Sequence, residues 1–220
     1  MLLSTQRFFS MSKEPWGIKD LHSNYTYVND AYFDFFEIPL ALRDSFYIQN
    51  IGGIEPLQPI YDELRKHDKL VLKSVKRTEG IGTVIVNGEY KSFIQEQYPR
   101  ISEKEEVIGL VFHLRPFEQI STNYFLDKFS HGIVTYTPPT SRFTNREWDI
   151  LFLLFQHLDK KQIAARLGIS RITVRNLISR LLLKTGTSTK GQLVDMGIRG
   201  GWHLYIPPNF AEVRYEILPN

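Results

Sequence analysis

The chain has 220 residues, 42% hydrophobic and 23% charged, with a formal net charge of +3. That is a globular composition, enough for one large or two small domains, and excludes a disordered chain. Cysteine is absent, which excludes disulfides, thiolate metal sites and cysteine nucleophiles and agrees with a reducing cytosol. No apolar run reaches the ~18 residues of a membrane span. The opening MLLSTQRFFS lacks the continuous apolar core and cleavage site of a signal peptide. Residues 1–12 are expected to be a flexible lead-in, with Met11 an alternative start.

Trp16 to Asp20 and Tyr25 to Asn29 are short alternating or aromatic runs on either side of a polar turn, a hairpin pattern. Asp30 is placed to cap a short helix, Ala31 to Phe36, that stops before Pro39. Gly52-Gly53, Pro56 and Pro59 punctuate a loop. Ile60 to Val75 reads as a helix with Leu64, Val71 and Val75 on its inner side. The strongest hairpin signal is Thr83 to Val86, Asn87-Gly88, then Glu89 to Gln97, because Asn-Gly favours the turn whose twist matches paired strands. Val107 to Leu114 completes a five-stranded antiparallel sheet with small helices, an α+β layout.

This order, with Trp16-Gly17-Ile18-Lys19-Asp20 leading into Tyr27-Val28-Asn29 and an aromatic helix, resembles a PAS sensor domain over residues 13–118. The resemblance implies a sheet cupped around a cavity for a small molecule, or a packed domain used for dimerisation and partner docking. The chain lacks the cysteine of light-sensing flavin members. It also lacks the tryptophan/tyrosine/aspartate arrangement of acyl-homoserine-lactone receptors. No acidic pair follows an early parallel strand, which disfavours a phosphoryl receiver. The signal and any cofactor stay open.

Glu118 to Phe129 is expected as a helix ended by His131-Gly132. The polar stretch 135–141 contains Pro138-Pro139 and reads as a semi-rigid connector. Residues 119–142 are therefore assigned to a linker, 143–206 to a second, all-α domain and 207–220 to a tail. Charge divides at the same place. Residues 1–140 hold 15 Lys+Arg against 18 Asp+Glu, whereas residues 141–206 hold 11 against 4. A cationic excess confined to one module is what nucleic-acid binding requires.

Within that module Thr144 and Glu147 have capping-box spacing, and Trp148, Leu151, Phe152 and Phe155 give the first helix a buried side. Lys160 to Leu167 is a short helix with Ile163, Ala164 and Leu167 on one face, stopped by Gly168. Ser170 then caps Ser170–Lys184, whose Val174, Leu177, Ile178, Leu181 and Leu182 recur at spacings of three and four. Arg171, Arg175 and Ser179 form one polar row, Asn176, Arg180 and Lys184 the next. Four cations and no acid on one face point to an external anion rather than to same-face ion pairs. Guanidiniums and an amide on an exposed helix suit phosphates and base edges in a DNA major groove.

Helix, glycine turn and basic helix make the helix-turn-helix pattern. Residues from about Phe143 to Trp202 resemble the DNA-binding domain of LuxR/NarL-type transcription regulators. The matching pieces are Thr144-Asn145-Arg146-Glu147, Lys161-Gln162-Ile163-Ala164, Leu167-Gly168-Ile169-Ser170 and Thr173-Val174-Arg175-Asn176. The chain departs from the family at His157 (usually glycine), Gln162 (glutamate), Leu177 (histidine) and Thr185 (leucine). The resemblance implies that Arg175, Asn176 and Ser179 face base edges and that Lys161, Thr173, Arg180 and Lys184 meet phosphates. Arg171 serves either role. It further implies a homodimer, with Leu193, Val194 and Met196 of the last helix as candidate contacts. Trp202, Tyr205 and Ile206 are candidates to fold back onto the bundle.

Six histidines are scattered with no pair at metal-ligand spacing, so no metal site is expected. His67, in a predicted helix, has a haem-ligand alternative to a surface or capping role. Asn24-Tyr25-Thr26 matches the glycosylation acceptor pattern but stands without a secretion signal. No glycine-rich phosphate loop and no serine/histidine/aspartate grouping supports an enzyme. The expectation is a cytoplasmic, dimeric regulator that binds double-stranded DNA, with a small-molecule or protein signal at its first domain and no membrane contact. The alternative is a protein-binding adaptor or anti-activator that keeps the fold without sequence-specific DNA binding.

Overall fold

The computed structural model describes residues 2–39, 41–43, 54–120 and 131–219. The chain forms two compact units, Met1–Phe117 with Glu212–Asn220, and Glu118–Ala211. Gly52 and Gly53 lie outside the described residues.

In the first unit, helix α1 (Leu2–Met11) precedes strands β1 (Trp16–Lys19) and β2 (Tyr25–Val28), helix α2 (Asp30–Phe35), a 3-10 turn at Glu55–Ile60 and helix α3 (Tyr61–Ser74). Strands β3 (Thr78–Val86), β4 (Glu89–Ile101) and β5 (Val107–Pro116) follow. The expected hairpin is present: Val86 pairs with Glu89 across Asn87 and Gly88, both at positive φ, as this tight turn demands.

Three details differ from the sequence reading. The stretch expected as a flexible lead-in is helical. Phe9 is buried and stacks on Trp16 at 4.7 Å, while Asn29 donates to the Phe9 and Glu14 carbonyls, both at 2.9 Å. The cap of α2 is Asn29 rather than Asp30, its side chain accepting from the Tyr32 N–H. Val75, expected on the inner face of α3, is instead the left-handed residue after it and is exposed.

All five expected strands occur, and the tail adds a sixth. Strand β8 (Arg214–Ile217) pairs antiparallel with β3, so the order is β2-β1-β5-β4-β3-β8. Gly80 makes this possible, because a Cβ there would overlap the ring of Tyr215. The core between sheet and helices gathers Tyr32, Phe33, Phe36, Leu57, Ile60, Leu64 and Val71 against Val84, Phe93, Leu110, Phe112 and Tyr215.

A polar chain runs through that core. Lys19 Nζ donates to both oxygens of Asp68 at 2.9 and 3.0 Å, Gln97 Nε2 donates to Asp68 at 2.8 Å, and the ion pair is fully buried. The Lys19 ammonium also lies over the rings of Tyr25 and Phe112. The Gln97 Oε1 is buried without a partner. Next to Asp68 in sequence, His67 is fully buried and has both ring nitrogens occupied, by the Tyr215 hydroxyl and by Thr78 Oγ1, each at 2.6 Å. It is therefore neither a surface histidine nor free to ligate a haem iron.

The second unit pairs β6 (Glu118–Ile120) with β7 (His131–Ile133). The helix expected at Glu118 thus starts as strand, and residues 121–130 lie outside the described residues. Helices α4 (Asn145–Phe155), α5 (Lys160–Leu167), α6 (Arg171–Thr185) and α7 (Lys190–Arg199) then form a bundle. The tail folds back on it. Trp202 and Tyr205 pack edge-on against Trp148, and Phe210 stacks on Phe152 at 4.6 Å. Ile206 donates its N–H to the carbonyl of Thr135, a residue expected in the linker.

Two predictions follow from buried or strained groups. Burial holds His67 down to about 4; Asp68 opposes this and Lys19 adds to it. The unfolded chain takes up the proton first, so the stability His67 lends is complete above pH 6.5 and is lost as pH falls toward 4. Urea unfolding across that range should show the loss, and His67→Gln should flatten it. At the end of α4, His157 sits at φ 59, a left-handed conformation that costs a residue with a Cβ but not glycine. His157→Gly should stabilise the second unit by about 1 kcal/mol in denaturant titration.

Candidate nucleic-acid interface

The two helices that would meet DNA are set by their caps. Asp159 accepts from the N–H groups of Lys161 and Gln162, and Gln162 reaches back to the Asp159 N–H, a full capping box for α5. Gln162 does this as well as the glutamate it replaces. These hydrogen bonds, led by the one from Gln162 N–H, hold the Asp159 carboxyl below its usual range. Gly168 ends α5 at φ 63, and Ile169 donates its N–H back to the Ala164 carbonyl at 3.0 Å. Ser170 Oγ then accepts the Thr173 N–H at 3.0 Å and opens α6.

One side of α6 is core: Val174, Leu177, Ile178 and Leu181 are buried with Trp148, Leu151, Leu154 and Ile163. Leu177 therefore does not face the phosphate side, where the family resemblance placed a histidine. The opposite side is solvent. Arg171, Thr173, Arg175, Asn176, Ser179 and Arg180 are all exposed, as is Lys161 on α5. Among the described residues, neither Arg175 nor Arg180 has a carboxylate within ion-pair distance. The Thr173 hydroxyl is 2.9 Å from Ser170 Oγ and so supports the cap. An open depression of about 620 Å³ lies between the starts of α5 and α6, lined by Lys161, Arg171, Ile172, Arg175, Lys190 and Asp159.

Lys184 belongs elsewhere. Its ammonium donates to Glu147 Oε2 at 2.7 Å and to the Arg142 carbonyl at 3.1 Å, while the Arg142 guanidinium returns a hydrogen bond to the Lys184 carbonyl. Glu147 is also the third residue of the Thr144 capping box. Burial works against ionisation of its carboxyl, but the Lys184 ammonium and the Thr144 N–H prevail and hold it below the usual range. Lys184 thus braces α4 against α6, while its side chain stays 39% exposed. The candidate dimer contacts also divide. Leu193 is fully buried in the bundle core, Val194 is half-buried, and Met196 is exposed.

Residues 141–197 match the family of bacterial regulatory proteins described as luxR family. The second unit therefore carries a LuxR-type helix-turn-helix domain, joined in this chain to the six-stranded antiparallel sheet of the first unit. Response regulator Rre1 from Synechocystis sp. is 40% identical over 67 residues, 30% of this chain and 29% of that one. The chain thus matches less than a third of that regulator's length. Over the whole chain the fold is that of VqmA. The Vibrio cholerae VqmA–ligand–DNA complex is 23% identical, with a TM-score of 0.79, and the match covers 100% of this chain and 96% of that one. A structure of the Vibrio cholerae VqmA dimer without target DNA gives 22% identity and a TM-score of 0.51, covering 100% and 97%. The phage VqmA–DPO complex gives 21% identity and a TM-score of 0.69, covering 99% and 96%.

Because Lys184 braces the bundle, Lys184→Ala should lower the stability of the second unit by about 1 kcal/mol. The salt dependence of duplex binding should keep its slope. Calorimetric melting together with a salt titration of binding checks both.

Proposed function

We propose that this chain is a sequence-specific DNA-binding transcription regulator that acts as a homodimer in the cytoplasm and performs no catalytic step. The observation that carries the reading is the outer face of α6 with the start of α5. Lys161, Arg171, Arg175 and Arg180 stand exposed there around a polar row, and Asp159, the acid lining the same depression, receives the first N–H groups of α5. Guanidiniums without internal counterions seek phosphates and guanine edges. In this reading Arg175, Asn176 and Ser179 address bases, whereas Lys161, Thr173 and Arg180 position the helix on the backbone, with Arg171 able to do either. Residues 143–206 are the DNA-binding module and 13–118 the core of the sensor, completed by the tail strand.

The Vibrio cholerae relative was captured with ligand and DNA, and the phage relative with DPO. By that likeness the first unit receives a small molecule. The Gln97 Oε1 supports this, since it is a buried acceptor without a partner. In a dimer, two α6 helices about one DNA turn apart would favour an inverted-repeat site. Among the described residues no helix is long and apolar enough to cross a membrane.

Selection from random duplex, followed by salt titration, tests the reading: one preferred inverted repeat and salt-dependent affinity are expected. Binding to neither selected nor random duplex would overturn it. Arg175→Ala should cost about 1–3 kcal/mol on the selected site and relax preference there, with little effect on random DNA. Equal losses on both would remove it as a base reader.

A further inference from the structure

An isolated aliphatic side chain on a surface is ordinary. Ile172 is singled out by where it stands. It is 64% exposed on the second residue of α6, three and four residues before Arg175 and Asn176 and seven before Ser179. At helical spacing these residues share one face, so Ile172 lies on the row assigned to base edges. It also lines the depression together with Lys161, Arg171, Arg175 and Lys190. Five cations against one acid, Asp159, make a poor bed for a second protein's apolar patch, which would have to desolvate them largely without compensation. Against DNA the same cations meet phosphates, and the apolar group among them is buried with them. The aliphatic side chain can donate no hydrogen bond to a phosphate. The apolar feature that B-DNA displays in its major groove is the 5-methyl group of thymine. A β-branched residue in a helix is held close to one rotamer, so its methyl groups are already oriented.

We propose that Ile172 is a sequence-reading residue whose side chain packs against the 5-methyl group of a thymine in the major groove. The proposal rests on the DNA-binding reading above. It adds to the polar base readers a residue that distinguishes thymine by its methyl group alone.

The test uses the full chain and its selected site, with each thymine of the half-site replaced in turn by uracil, which removes only that methyl. For the unaltered protein, one position should lose about fourfold in affinity on losing its methyl, the worth of a single buried carbon. Ile172→Ala should bind the thymine site about as weakly as the unaltered protein binds the uracil site, and should no longer distinguish the two. Ile172→Val should keep most of the discrimination. Leu183 stands on the same line of α6, about 16 Å further along the axis, and Leu183→Ala should leave the coupling unchanged. If Ile172→Ala retains the full thymine-to-uracil loss at every position, or if no position shows that loss, Ile172 is not a thymine reader. Those outcomes occur on a site that is still bound selectively, so they leave the regulator reading standing. Absence of any preferred site would instead strike that reading directly.

Discussion

The function of the second unit depends on where its few carboxylates are kept. Residues 141–206 contain four acids against eleven Lys and Arg. Glu147 is held by Thr144 and Lys184 at the start of α4. Asp149 is buried and meets Arg146 at 3.4 Å and the Asn209 amide at 2.8 Å. Asp159 receives the first N–H groups of α5, and Asp195 stands exposed on α7. Helix α6 itself is capped by a neutral serine and α7 by a neutral threonine. An aspartate at 170 would cap α6 equally well but would place a negative charge at the edge of its cationic face. Capping thus falls to a carboxylate at α5, where Asp159 lines the depression beside Lys161 and Arg171, and to hydroxyls at α6 and α7.

The helix-turn-helix was legible because its signals are local. Thr144 with Glu147, Gly168 and Ser170 act within four residues of themselves, and the apolar stripe of α6 repeats along one element. What sequence spacing could not supply was the neighbour across the bundle. A helical projection puts Lys184 on the same row as Arg180, yet Glu147, 37 residues earlier, draws its ammonium inward. The same blindness placed Leu193 at a surface when it fills the core. Ile172 carries no such signal, because an aliphatic group adds neither charge nor an amide to a helical projection even when it stands among them.

In the first unit the hairpin at Asn87-Gly88 and the three long strands were readable from turn chemistry and alternation. The short, non-local parts were not. Lys19 and Asp68 lie 49 residues apart, and nothing in either neighbourhood marks them as a buried pair. Such a pair adds little net stability once the cost of dehydrating both charges is met. It does fix β1, α3 and β4 with respect to one another, because Lys19, Asp68 and Gln97 come from those three elements. Helix α1 was missed because its anchors, the aromatic stack of Phe9 on Trp16 and the amide of Asn29, are tertiary contacts rather than helical propensity.

The sixth strand has a consequence for how the molecule is made. The edge of β3 is covered by residues 214–217, which leave the ribosome only after every helix of the second unit has been synthesised. Until then the edge on that side is the nine-residue β3 rather than the four-residue β8, a longer edge for pairing with foreign strands, and the buried His67 lacks the hydroxyl of Tyr215. The first unit is therefore finished last, and a reporter fused after residue 220 would load the sheet domain rather than the helices that precede it.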